Sequence, residues 1–160
     1  TCLCDWSLPL PKSEFKDFLE QPRMAHLATV SRSGRPRVTP VWFAYENGLF
    51  YFSTRLGRVK GRHIQGNPRV ALSIATDERP YRAVCAFGKA TVLKENRDEW
   101  FEKISFRYGE NEGREWVAKA IKQPDRVVMV LRPERVLSWD HGRGDSARQD
   151  KGESMATPAY

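Results

Sequence analysis

The stretch that decides the fold is residues 51–70, YFSTRLGRVKGRHIQGNPRV. An aromatic run typical of a strand leads into Ser53 and Thr54, a short basic helix follows, and a second apolar strand begins after Asn67 and Pro68. Such a junction presents hydroxyl groups, free backbone N–H groups and cations at one helix N-terminus, where an anion binds favourably. The segment therefore predicts a site for a phosphorylated or polyanionic small molecule.

A helical wheel divides the charges of this segment into two groups. At 100° per residue, Arg55, Arg58 and Arg62 fall on one side, whereas Lys60 lies among the apolar residues. A lysine that faces the protein body must find an anion or extend to water. An anionic ligand at the helix start would satisfy it, and a solvated basic face is the alternative.

Two glycines, Gly57 and Gly61, make this a poor helix by intrinsic propensity. They either let a ligand approach the backbone closely or simply leave a weak helix. Nearby, Pro40 interrupts the apolar run TPVWF and cannot donate to a sheet ladder, which indicates an edge or a bulge. Exposed backbone there can bind a planar heterocycle, and Trp42 packs either on that ligand or in the core.

Strands surround this junction on both sides. Asn47-Gly48 between two aromatic-rich runs is a strong hairpin signal, and Gly88 marks a possible bulge. Short turns between strands, with helices at the ends, favour an antiparallel barrel: mainly β with flanking helices. The expected strands are residues 24–31, 38–45, 49–54, 69–76, 83–93 and 126–131, the last continuing through 133–139, and the expected helices are 14–20, 96–108 and 113–122.

The composition is that of a soluble globular protein with one domain: 160 residues, 40% hydrophobic and 29% charged. No apolar run approaches the roughly 18 residues that span a bilayer. The start of the chain lacks the basic and apolar parts of a secretory signal, so the cytoplasm is the expected location. We expect an N-terminal extension at residues 1–12, a cofactor-binding domain at 13–139 and a polar, mobile tail at 140–160.

The net charge of +7 favours an anionic partner, which alone does not separate nucleic acid, a membrane surface and an acidic cofactor. The basic residues are not interleaved with aromatic residues as in single-strand binders, so nucleic acid is disfavoured. The three cysteines and three histidines have no metal-ligand spacing, and we expect no metal. No nucleophile–base motif is present, which is typical of enzymes whose cofactor carries the chemistry.

These segments together resemble the pyridoxamine-phosphate-oxidase-like family, the flavin- and deazaflavin-binding split β-barrels. The resemblance covers about residues 18–139 and includes MAHLATVSRSGRPRVTPVWFAYENGLFYFST, the step from Arg58 to Lys60, NPRVALSI and PYRAVCAFGKATV. It implies a homodimeric split β-barrel with two cofactor sites at the subunit interface.

The resemblance also implies which residues hold the cofactor. Lys60 matches the family's phosphate-binding lysine; Val59 stands where relatives often have arginine, and Arg58 is expected to take that role. The partner subunit is expected to contribute from around Tyr81 and Arg82 or near Trp139. The implied cofactor-binding set is Thr39, Pro40, Val41, Trp42, Ser53, Thr54, Arg55, Arg58, Val59, Lys60, Tyr81, Arg82 and Trp139.

The segments TPVWF and PYRAV look more like the deazaflavin branch, whose cofactor is coenzyme F420. Its phosphodiester and acidic tail suit the three arginines, whereas FMN, the alternative, needs fewer cations. The resemblance implies a reductase that transfers hydride from reduced F420 to an unsaturated small molecule at the dimer interface. An FMN-dependent oxidoreductase and a non-catalytic binding protein remain the alternatives.

Overall fold

The computed structural model describes residues 12–142, so most of the expected N-terminal extension and C-terminal tail lie outside the described residues. In chain order the elements are α1 Lys12–Glu20, β1 Ala25–Val30, β2 Pro36–Val41, β3 Phe43–Glu46, β4 Leu49–Arg55, α2 Val59–Gly66, β5 Arg69–Ala75, β6 Arg82–Val92, α3 Arg97–Ser105, a 3-10 turn Phe106–Tyr108, α4 Glu110–Ala120 and β7 Arg126–Asp140. No helix within this described range is long and apolar enough to cross a membrane.

The seven described strands form one antiparallel sheet in the order β2-β1-β5-β6-β7-β4-β3. β2 and β3 lie at opposite edges of this sheet, although Trp42 alone separates them in sequence. The sheet must therefore curl until its edges approach, which makes a split barrel. The expected fold class is confirmed, but the single strand expected over residues 38–45 is wrong, because the chain leaves one edge at Trp42 and joins the other.

The edge position predicted from Pro40 is confirmed. β2 pairs with β1 alone, and Pro40 stands opposite His26 in that ladder. A proline lacks the backbone N–H that a central strand would need, so an edge strand accommodates it without a lost ladder bond.

The bulge predicted at Gly88 is also confirmed. The β6–β7 register shifts between Phe87 and Gly88, and Gly88 then stands opposite Pro133. A Cβ atom on Gly88 would lie 2.1 Å from the carbonyl oxygen of Arg132, so this approach requires glycine. The bulge also interrupts the ladder where Pro133 has no N–H to donate. β7 therefore continues as one strand from Arg126 to Asp140.

The barrel interior is filled by aromatic and aliphatic side chains, among them Phe43, Phe50 and Phe52, all fully buried. A second cluster lies between the outer face of the β3-β4-β7 region and helices α3 and α4, where Tyr51 stacks on Trp100 with ring centroids 3.5 Å apart. Together these cores fix the end of β4, from which the chain enters α2.

Candidate functional site

The predicted strand-to-helix junction is present where β4 ends at Arg55 and α2 begins at Val59. Arg58 is the N-cap residue in an extended conformation, and its side chain makes no capping hydrogen bond. The first backbone N–H groups of a helix have no intrahelical partner. The start of α2 therefore offers uncapped donors together with the positive end of a helix dipole.

Lys60 faces the protein body, as predicted. Its side chain is half-buried, and burial, followed by the charge of Arg126, lowers the pKa of its ammonium group. Within residues 12–142 no carboxylate lies within ion-pair distance of Lys60. An unpaired, partly buried cation is the arrangement that an anionic ligand stabilises.

The grouping of three arginines on one helix face is wrong. Arg55 belongs to β4, and its Nε lies 3.0 Å from an oxygen of Asp125 in an ion pair. Arg62 is in the helix, but its guanidinium donates to the carbonyl oxygen of Gly57 at 2.6 Å. Arg58 is exposed and makes no ion pair with any described residue. The helical wheel was misleading because it treated Arg55 as part of the helix, whereas the β4–β7 ladder places Arg55 in a strand.

The two glycines of the segment serve packing. A Cβ atom on Gly61 would lie 2.3 Å from the carbonyl oxygen of Arg55 and 2.7 Å from Cα of Leu56, so α2 folds directly onto the chain that precedes it. Backbone packing therefore requires glycine at this position, a reason that the sequence did not indicate. At Gly57 the added atom would meet an Asp125 carboxylate oxygen at 3.3 Å.

Arg126, at the start of β7, is a charged residue of this site that the sequence did not reveal. It stands directly opposite Arg55 in the β4–β7 ladder. Its Nε donates to Gln123 at 2.8 Å, its Nη1 donates to Ser53 Oγ at 3.4 Å, and its guanidinium lies 5.3 Å from the ring centroid of Trp116. In the sequence, Arg126 is only a basic residue at the start of an apolar strand. Its neighbours on β4 are some 70 residues away, so the sequence did not place it in this site.

These charges form what we call the cationic cluster: Arg55, Arg58, Lys60 and Arg126. Arg126 stands opposite Arg55, and burial, followed by the charge of Arg55, lowers the pKa of Arg126. Asp125 is the one carboxylate that neutralises them among the described residues, and the Arg55 hydrogen bond lowers its pKa. The cluster retains an excess of positive charge.

The strand from Thr39 to Trp42 contributes one polar group and one packed ring. Thr39 Oγ1 is buried and has no hydrogen-bond partner in the described part of the chain. The Trp42 ring stacks on Tyr108, with centroids 4.8 Å apart and planes 6° apart. One face of Trp42 is therefore occupied by core packing, whereas the Thr39 hydroxyl is left without a partner among the described residues. Val41 and Thr54 are buried.

Three of the predicted residues lie at the other end of the sheet. Tyr81 is 46% exposed, Arg82 lies 3.8 Å from a carboxylate oxygen of Asp140, and Trp139 stands opposite Ala83. Because β7 runs from Arg126 to Asp140, its whole length separates these residues from the cationic cluster. A single chain does not bring the two groups together.

A cavity of about 500 Å³ is lined by Phe15, Tyr45, Gly48, Phe50, Pro133, Val136 and Ser138. None of the predicted site residues lines it. Within residues 12–142, histidine, cysteine and carboxylate side chains form no group of three that could hold a metal ion.

A curled antiparallel split barrel with a basic strand-to-helix junction defines a class of flavin-binding oxidoreductase folds. The model of the family described as pyridoxamine 5'-phosphate oxidase matches residues 11–140, and the chain belongs to this family. The resemblance inferred from the sequence is confirmed.

Similar proteins within this fold have different names. A solved structure named F420 reductase is 28% identical, with a TM-score of 0.62, over 79% of this chain and 98% of that one. A conserved hypothetical protein from Mycobacterium tuberculosis is 23% identical, with a TM-score of 0.69, over 97% of this chain and 96% of that one. The curated heme oxygenase HutZ of Vibrio cholerae is 26% identical over 78% of this chain and 73% of its own.

Proposed function

We propose that this protein is a cytoplasmic reductase that binds reduced coenzyme F420 and passes hydride to an unsaturated small molecule at a homodimer interface. The observation that carries the proposal is Lys60, a half-buried cation without an anionic partner among the described residues, next to the uncapped start of α2. A phosphate group placed there compensates the lysine charge and accepts hydrogen bonds from the helix N-terminus.

The residues around Lys60 fit a phosphate-bearing flavin or deazaflavin. Ser53 supplies a hydroxyl beside Arg126, and the unpartnered hydroxyl of Thr39 offers a hydrogen bond at the edge strand. Backbone groups of Pro40, Val41 and Val59 complete the proposed contacts.

Fewer arginines support F420 over FMN than the three that the sequence suggested. Arg55 and Arg62 have partners, so Arg58 is the arginine of that group left for the carboxylates of an acidic tail. The 28% identical F420 reductase supports the deazaflavin, and FMN remains the alternative cofactor.

A second copy of the chain is part of this proposal. Across four strands, Val38, Ala28, Ala71 and Phe87 stand in one row on the outer face of the sheet. Val38 is 62% exposed and Phe87 is 39% exposed, so this row offers apolar area to a partner. The partner subunit would then bring Tyr81, Arg82 and Trp139 to the cofactor site, which they do not reach within one chain.

Bound F420 supplies the hydride chemistry in its reduced form. The chain's own residues bind and orient the cofactor. In this proposal, Lys60 and the start of α2 hold the phosphate, the edge strand at Thr39 aligns the ring system, and the apolar interface excludes water.

Titration with F420, FMN and hemin, followed by intrinsic tryptophan fluorescence, tests the proposal. We expect F420 to bind most tightly, and reduced F420 to be oxidised in the presence of an enone, quinone or nitroaromatic compound. Tighter binding of FMN would favour the FMN-dependent oxidoreductase, and tight hemin binding would favour a function like the one HutZ is named for. Cofactor binding without turnover would indicate a carrier, and failure of all three ligands would refute the proposal.

A further inference from the structure

The guanidinium of Arg126 is fixed before any ligand arrives. Gln123 accepts from its Nε at 2.8 Å, Ser53 accepts from its Nη1 at 3.4 Å, and the Trp116 ring lies under it at 5.3 Å. These three partners are all neutral. They orient the group, but they do not neutralise its charge.

The nearest carboxylate, that of Asp125, is already engaged. The Nε of Arg55 lies 3.0 Å and 3.1 Å from its two oxygens. Arg126 Nη2 makes no hydrogen bond to any residue of the described range. Arg126 therefore keeps both its positive charge and an unused donor, and it stands opposite Arg55, at the end of β4 from which the chain leads into α2 and Lys60.

We propose that Arg126 is a ligand of the phosphate group in this same site and acts together with Lys60 and the Ser53 hydroxyl. This inference rests on the proposed function, because it assigns a further contact to the same cofactor. The planar fork of an arginine binds two oxygens of a phosphate at once, whereas a lysine is a point charge. Arg126 thus makes the site selective for a phosphate-bearing ligand over the same ring system without phosphate.

The test compares paired ligands on matched variants. Dissociation constants are measured for FMN against riboflavin, and for F420 against the deazaflavin that lacks the phosphate and acidic tail. The variants are Arg126→Gln, Arg126→Lys and the control Arg132→Gln, which removes an exposed arginine from the same strand. Thermal melting by circular dichroism checks that each variant is folded.

We expect Arg126→Gln to weaken the phosphate-bearing ligand about 10- to 100-fold, the scale of a charged hydrogen bond, and to leave its phosphate-free analogue unchanged. Arg126→Lys should recover part of the loss, and Arg132→Gln should match the wild type. Equal losses for both members of a pair would show that Arg126 supports the pocket through Trp116 and does not bind phosphate. That result would overturn the inference.

Inorganic phosphate, followed by ³¹P line broadening, separates this inference from the proposed function. If the wild type binds none of the four ring ligands, the proposed function fails, but the phosphate measurement still decides the role of Arg126. Weaker phosphate binding in Arg126→Gln supports the inference, and unchanged binding overturns it.

Discussion

Replacing Lys60 by methionine removes a positive charge and keeps a side chain of similar length. If the ammonium group binds the cofactor phosphate, the variant loses a charged hydrogen bond, which contributes about 1.5–3 kcal/mol. This loss corresponds to a roughly 10- to 150-fold higher Kd for F420 or FMN. The structure favours the upper part of that range, because Lys60 is half-buried and solvent screens it only partly.

The same substitution should stabilise the ligand-free protein. Folding lowers the Lys60 pKa below its ordinary value of 10.5, through burial first and then through Arg126. The unfolded chain then binds this proton more tightly than the folded chain, so protonation opposes folding at neutral pH. This cost diminishes as the pH rises from the lowered pKa towards 10.5. We therefore expect Lys60→Met to raise Tm most at neutral pH and least at alkaline pH.

Fluorescence titrations from neutral pH to the ordinary lysine value of 10.5 and thermal melts by circular dichroism check both expectations. In the wild type, affinity for the phosphate-bearing ligand should fall as the pH rises through the lowered Lys60 pKa, and Lys60→Met should lack this change. Lys122→Met, at an exposed lysine, is the matched control and should behave like the wild type. A less than twofold change in Kd for Lys60→Met, or a lower Tm without ligand, would refute the reasoning.

Two further predictions concern the elements that hold the site. Gly61→Ala should lower the free energy of unfolding by about 2–3 kcal/mol, because the new Cβ meets the carbonyl oxygen of Arg55 at 2.3 Å; unfolding in urea measures it, and a gain in stability from better helix propensity would contradict it. Tyr108→Phe should cost about 1–3 kcal/mol in the same assay, since its hydroxyl donates to Arg23 O at 2.7 Å and accepts from Phe43 N at 3.1 Å. An unchanged urea midpoint would show that these bonds contribute little.

The parts of the fold predicted correctly from the sequence depend on local backbone chemistry. Asn47 and Gly48 both adopt positive φ, at 51° and 80°, as a tight hairpin turn requires. Pro40 marked an edge because it lacks a donor, and Gly88 marked a bulge because a side chain does not fit there. Each of these residues constrains the chain by itself, whatever packs around it.

The parts that the sequence did not reveal depend on pairs distant along the chain. Arg55 lies opposite Arg126 and pairs with Asp125, which are contacts set by the β4–β7 ladder. Trp42 stacks on Tyr108, a distant partner along the chain, and the Tyr108 hydroxyl accepts from the Phe43 N–H, 65 residues away. A helical wheel or an apolar run contains no information on such partners, so the charge balance of the site required the three-dimensional structure.

The place of β7 in the sheet has a consequence for how the chain folds during synthesis. β7 is the last described strand in sequence, yet it lies between β6 and β4. Until it emerges from the ribosome, the β2-β1-β5-β6 ribbon and the β4-β3 hairpin are separate sub-sheets, and each presents an unpaired edge. When β7 pairs with β4 and β6, both edges gain hydrogen-bond partners in one late step. The cationic cluster gains Arg126 in the same step. A nascent chain that stops before this strand would expose both edges to aggregation and would lack Arg126 of the cationic cluster.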